Sequence, residues 1–199
     1  LAAASAMDLG RAADITSNIM SAFNMEAEQA GYVADVLAQA AANANTDVEQ
    51  MGEAMKYVAP TANSLGLGIE ETAAAVMLFS DAGIQGSQAG RAFGTSLLRL
   101  SNPTSSMTDE MKKLGVSFFD AQGNIKDLPD IVKELENGMK GYTKEQMSAT
   151  LATLFGTEAQ RHWSILLEQG AGSLSKNTNM LIESEGAAAQ MAETMQDNA

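Results

Sequence analysis

The sequence predicts a mainly α fold, a multi-helix bundle with at most one small β-hairpin near residues 116–126. Three observations carry this expectation. About one residue in six is alanine, with 13 methionines and only 3 prolines, and Ala and Met lose little freedom in a helix. Apolar residues recur at steps of three and four through most of the chain. Glycines punctuate those runs where helices should stop.

The elements follow in order. From Met7 to Phe23 the apolar positions Leu9, Ala12, Ile15, Ile19 and Phe23 keep helical spacing, and a second run from Ala27 to Ala44 does so through Val33, Val36 and Leu37. Thr46 or Asp47 is placed to cap a third helix, whose Val48, Met51, Met55, Val58, Ala62 and Leu65 form a seam for a neighbour. Pro60 lies inside that seam, where a missing N–H and a crowded ring predict a kink or break. The clearest helix is LGLGIEETAAAVMLFSDAG, with Glu70 and Glu71 in its first turn and Gly83 as its stop. Ile69, Ala73, Val76 and Phe79 mark its buried face.

Another helix is expected from about Ser87 to Leu100, ended by Asn102-Pro103, with Gly86, Gly90 and Gly94 four residues apart along it. MTDEMKKLG reads as a short helix stopped by Gly115, and VSFF and NIKDL as the arms of a glycine-turned hairpin. Three helical stripes follow: Leu128 to Met139, Met147 to Phe155, and Ala159 to Leu166. Beyond Ser173 the pattern thins to Leu174, Leu181, Ala188 and Met195, which predicts a long helix over 171–199 that needs a partner or continues further. Residues 1–170 are thus expected as the core segment of a longer protein.

Composition narrows the function classes. Lys and Arg number 12 against 25 Asp and Glu, a formal charge of -13 that opposes a nucleic-acid backbone. Most lysines crowd the middle of the chain, interleaved with acids, as on a solvated surface. Cysteine is absent, which removes disulfides, thiolate metal sites and a cysteine nucleophile. No apolar run approaches the roughly 18 residues of a membrane span.

The candidate sites fare poorly as chemistry. DAQGN, residues 120–124, invites a calcium reading, but setting Gly123 at the sixth position of an EF-hand loop puts Phe118 first and Pro129 twelfth, where carboxylates are required. Neither GxxxxGK[ST] nor GxGxxG occurs. The glycine row reads as a groove for close helix approach. Arg91 and Arg99, in an acid-free window from Ala82 to Thr108, either meet an anionic partner or, the commoner case, pair with carboxylates elsewhere in the fold. His162 is the only histidine; Glu158 stands four residues before it rather than the three of a di-iron motif, and no GxSxG accompanies it. It reads as a helix-surface or interface residue. Glu26 with Glu28, and Glu70 with Glu71, sit where helix starts favour negative charge. The pairs Met51/Met55, Met107/Met111 and Met191/Met195 read as core filling or, for the last above all, as an adaptable surface. No catalytic, cofactor-binding or metal-binding residue is assigned, and no enzyme activity is expected.

Residues 52–93, GEAMKYVAPTANSLGLGIEETAAAVMLFSDAGIQGSQAGRAF, resemble the core region of the tape measure proteins of long-tailed phages and prophages. The likeness extends through LSNPT, KKLGVSFFDAQGNIKDLPDIVKEL, LFGTEAQR and GAAAQMAETMQDNA, nearly the whole chain. It implies a structural protein of the virion tail, made in the bacterial cytoplasm. Such proteins help set tail length during assembly and leave ahead of the genome. The implied partners are the tail tube protein, tail assembly chaperones and other copies of itself. Composition alone fits a helical adaptor or scaffold unrelated to phage equally well.

Overall fold

In the computed structural model, which describes residues 1–197, the chain folds into eleven α-helices and one 3-10 turn. They are α1 (Ala2–Ser5), α2 (Leu9–Ala22), α3 (Ala30–Ala42), α4 (Val48–Leu65), α5 (Ile69–Asp81), α6 (Gly86–Ser101), α7 (Ser105–Leu114), α8 (Leu128–Gly138), α9 (Lys144–Phe155), α10 (Gln160–Ile182) and α11 (Ala187–Asp197). The 3-10 turn, Ala27–Gln29, leads into α3. Among the described residues there is no β-strand. The 116–126 segment holds one antiparallel bridge, Phe119 to Ile125, so the multi-helix bundle is confirmed.

The helix starts follow local chemistry. Asp8, Asp47, Thr104 and Thr143 each accept a backbone N–H from the first turn they precede. Gly66 and Gly115 end α4 and α7 in the left-handed region, at φ 100° and 69°. Of the kink or break expected at Pro60, the break does not occur: α4 runs unbroken from Val48 to Leu65. Pro60 sits on the exposed side, and the Lys56 carbonyl that loses its donor belongs to an exposed residue within reach of water. Meanwhile Val58, Ala59 and Ala62 are fully buried on the other side. Tertiary packing therefore holds the helix through a residue that would break an isolated one.

α5 is the central helix. Every residue from Thr72 to Ser80 is buried, the pattern of a helix covered all round. The two hydroxyls on it turn back onto their own helix, Thr72 to the Gly68 carbonyl and Ser80 to the Val76 carbonyl. α10, α4 and α3 pack around it. A row of aromatic rings crosses the core: Phe79 to Phe93 at 5.0 Å between centroids, Phe93 to Trp163 at 5.8 Å, Trp163 stacked on Phe155 at 3.8 Å, and Phe155 to Phe118 at 5.7 Å. This row ties α5, α6, α10, α9 and the 116–126 segment together. The Trp163 indole N–H donates to Ser96 Oγ at 2.9 Å, so its polar atom is satisfied inside the core.

The most extensive pairing is α4 against α6, and the glycine row lies in it. A Cβ on Gly90 would stand 2.8 Å from the carbonyl carbon and 3.0 Å from the Cα of Ala54, and one on Gly94 would stand 3.1 Å from the Tyr57 carbonyl oxygen. These glycines let two backbones touch, as the spacing predicts.

α10 is two helical pieces in series. Gly170 stands between them at φ 81°, ψ 158°, and the amide of Ala171 that starts the second piece donates to Glu136 on α8 at 3.0 Å. A turn at 183–186 then leads to α11, which lies against α3 and α1.

Candidate functional site

The sequence candidates resolve into a turn, a groove, a buried ring and two polar clefts. In the 116–126 segment Asp120 closes its own loop. Its Oδ1 accepts the amides of Gln122 at 2.9 Å and Asn124 at 2.8 Å, and its carbonyl accepts Gly123 N–H at 3.1 Å with Gly123 at φ 87°. The Asn124 amide, above all, holds the carboxyl below the usual carboxylate range. Asp120 Oδ1 is thus committed to the loop's backbone, and Oδ2 accepts the Asn124 side-chain amide at 3.2 Å. On the inner side Val116 and Phe118 enter the core, so this segment is a plug with a polar rim.

His162, expected at a surface or interface, lies buried on α10 with its ring edge-on to Phe79, centroids 4.9 Å apart. Neither ring nitrogen completes a hydrogen bond. Burial pushes the imidazole below its ordinary pKa; the nearby Gln88 carbonyl works the other way without well-formed geometry, and Arg161 adds to the depression. It is a neutral core ring at pH 7. Helical periodicity carried the signal for this, since Ala159, Trp163 and Leu166 set the α10 face beside it, but the covering Phe79 lies far away in sequence.

Glu70 and Glu71 line a cleft of about 370 Å³ with Asp127, Asp130 and Ile182. Tyr32 donates its hydroxyl to Glu70, and burial first, then that carboxylate, push the phenol pKa up. Glu71 accepts the Gly68 amide at 3.0 Å through one oxygen and the Leu128 amide at 2.9 Å through the other. Burial raises its pKa; the two amides oppose that, and Asp127 and Glu70 add to it. Glu71 therefore caps its own helix and the start of α8 at once.

That arrangement recurs. Asp35 on α3 accepts the amides of Gly186 and Ala188, each at 2.9 Å, at the head of α11. Asp81 accepts Asn45 N–H at 2.7 Å just before α4, and Glu134 accepts Ser117 N–H at 3.0 Å while pairing with Lys126. Sequence reasoning placed acids only at their own helix starts. The structure also uses them to tie one element to the amides of another.

Arg91 and Arg99 do not pair with carboxylates among the described residues. Met51, Met55 and Met107 fill the core, whereas Met191 and Met195 lie partly exposed on α11. Among the described residues no helix is long and apolar enough to cross a membrane.

The comparisons with known proteins point to one family. The family model described as "Phage-related minor tail protein" matches residues 1–156, from α1 to the end of α9. A "Tape measure protein" of Pneumococcus phage Dp-1 is 46% identical over 198 residues, covering 100% of this chain and 17% of that protein. A "Probable tape measure protein" of Escherichia phage P2 is 36% identical over 136 residues, covering 67% of this chain and again 17% of the relative. The chain thus spans about a sixth of the length of these curated relatives. No solved structure matches it. With its whole length similar to a tape measure protein and most of it matched by the family model, the chain belongs to the phage-related minor tail proteins.

Proposed function

We propose that this chain is a core segment of a phage tape measure. In this reading it works as a structural component of the virion tail, helps set tail length during assembly and leaves ahead of the genome. Its partners are the tail tube protein, the tail assembly chaperones that load it in the bacterial cytoplasm, and other copies of itself. The observation that carries the reading is the similarity of the whole chain to a part of the Dp-1 tape measure protein. The -13 charge suits a protein that must not hold DNA in the lumen it shares with it. We further place the core segment at residues 1–170 and its continuation at 171–199, in which the turn at 183–186 interrupts the single long helix that the sequence predicts.

The fold adds a mechanical side. The exposed surface, 9590 Å², is close to the roughly 9,000 Å² expected of a compact protein of this mass. Such a globule is roughly 40 Å across, whereas the same chain as one continuous helix would reach about 300 Å. The segment is compact when free and opens when threaded into the tube, at Gly83–Gly86 and at the 101–106 corner. Pro60, inside an unbroken and well-packed helix, is a weaker place to open. The test is deletion or duplication of this segment in the parent phage, with tails measured by electron microscopy. Tail length should change with segment length. A stable, incorporated deletion that leaves tails unchanged refutes the ruler role, and density for a closed globule inside finished tails refutes the opening.

A further inference from the structure

Three of the four arginines lack a carboxylate within ion-pair reach among the described residues, in a chain with 25 acids and 12 bases. Only Arg11 pairs, with Glu49 and Glu53. The Arg91 guanidinium lies over the Tyr57 ring, 3.8 Å from its centroid, and donates to the Tyr57 hydroxyl. Arg99 donates to the Thr153 carbonyl at 3.3 Å, and Arg161 to the Ala82 carbonyl at 3.4 Å.

Arg91 and Arg99 belong to one face of α6. Successive residues turn by about 100°, so Arg91, Thr95, Leu98, Arg99 and Asn102 fall within a sector of about 100°. That sector lies beside the one that presents Gly90 and Gly94 to α4. Leu98, next to Arg99 and about two turns from Arg91 on the same sector, is 60% exposed. On the Arg99 side the face opens into a cleft of about 410 Å³ shared with Phe155 and Gly156, where Glu158 is the one acidic lining residue. No acid occurs in sequence from residue 82 to 108.

We propose that this face of α6 is a docking surface for an acidic amphipathic helix of a partner protein. A guanidinium is built to take a carboxylate in a two-point hydrogen-bonded pair. Both are already held by uncharged groups, a ring and a backbone carbonyl, so less freedom is lost when a carboxylate arrives. The acid-free window around this face removes the repulsion that the chain's net negative charge offers an acidic partner, while the exposed lysines elsewhere are interleaved with acids. Eight residues separate the two arginines, about 12 Å along the axis. A facing helix meets both with carboxylates seven or eight positions apart and an apolar residue between them, toward the carboxylate that meets Arg99, seated on Leu98. This surface is a property of the chain itself and stands or falls apart from the tape measure role.

The probe is a synthetic amphipathic helix with two glutamates seven residues apart and a leucine between them, beside a copy with glutamine at both positions. Titration into the isotopically labelled chain should shift the amides of 91–99, weaken as salt rises, and be at least about tenfold weaker for the glutamine copy. Arg91→Gln with Arg99→Gln should weaken binding by a similar factor. Leu98→Glu, at an exposed position, should abolish it while leaving thermal unfolding unchanged. Equal binding of both peptides, shifts confined to other helices, or no binding at millimolar peptide overturns the proposal. So does sedimentation of the chain alone as a dimer that the double arginine variant dissolves, because the occupant is then a second copy.

Discussion

Gly90→Ala tests how the α4–α6 contact is built. The added Cβ would stand 2.8 Å from the Ala54 carbonyl carbon and 3.0 Å from its Cα. The obstacle is backbone, which no rotamer change moves aside, so α6 must retreat from α4 by on the order of 0.5–1 Å, and overpacking of this kind costs about 1–3 kcal/mol. Alanine recovers up to about 1 kcal/mol by helix propensity. Since the same helix carries Phe93 and Leu97, both fully buried, the retreat also loosens the aromatic row, and a net loss of about 2 kcal/mol is expected. In a chain of this size that is a fall in Tm of about 4–8 °C. Gly31→Ala is the control: nothing lies within 4 Å of its Cβ, so the same substitution should stabilise by about 0.5–1 kcal/mol. Gly94→Ala, facing the Tyr57 carbonyl at 3.1 Å, should fall between them. Urea unfolding followed by circular dichroism gives all three, read from midpoints at constant m. A Gly90→Ala midpoint at or above that of the parent refutes the close-contact account.

Glu71→Ala leaves the Gly68 and Leu128 amides without their acceptor and should cost about 1–2 kcal/mol. Because the folded pKa of Glu71 is raised, its contribution declines as pH rises from the ordinary carboxylate range through that value, so urea midpoints should differ more at pH 4 than at pH 7. Asp35→Ala removes the acceptor at the head of α11 and should cost about 1 kcal/mol; hydrogen exchange should quicken in α11 and α1 and stay unchanged in α5. His162 has a depressed pKa, so the unfolded chain takes up its proton first. Stability should fall as pH drops through about 6.5, by at most about 1.4 kcal/mol per pH unit. His162→Leu should match or exceed the parent at pH 7 and lose that slope between pH 7 and pH 5.

The parts of the fold legible in the sequence were those that one face or one turn determines. α5 was bounded by Gly68 and Gly83 and by Glu70 and Glu71 because a covered helix needs an unbroken apolar run and sharp ends. The Gly86, Gly90, Gly94 row was legible because residues without Cβ at helical spacing have few other uses. What stayed hidden depends on which distant element comes to lie alongside. Pro60 reads as a kink or break until the burial of Val58, Ala59 and Ala62 shows what holds α4 continuous through it. His162 reads as a helix-surface or interface residue until Phe79 covers it. Arg91 reads as meeting an anionic partner or, more commonly, a carboxylate of the same fold, and within the fold Tyr57, on the neighbouring helix, takes the carboxylate's place. Glu71 and Leu128 are 57 residues apart, and no periodicity connects a carboxylate to an amide at that range.

The carboxylate caps bear on how such a sequence tolerates change. An ion pair can be lost by substitution at either end, so it presents two targets to mutation. A carboxylate that accepts a backbone N–H presents one, because its partner is there whatever side chain the second position carries, proline excepted. Asp35, Asp81 and Glu136 are attached in this way to positions 186, 188, 45 and 171. The identity of positions 45, 171 and 188 is left free by these ties, while Gly186, at φ 82°, is held to glycine by its own backbone. A lineage can rewrite much of this surface, and even shed its remaining cations, with the joints between its helices still inherited intact.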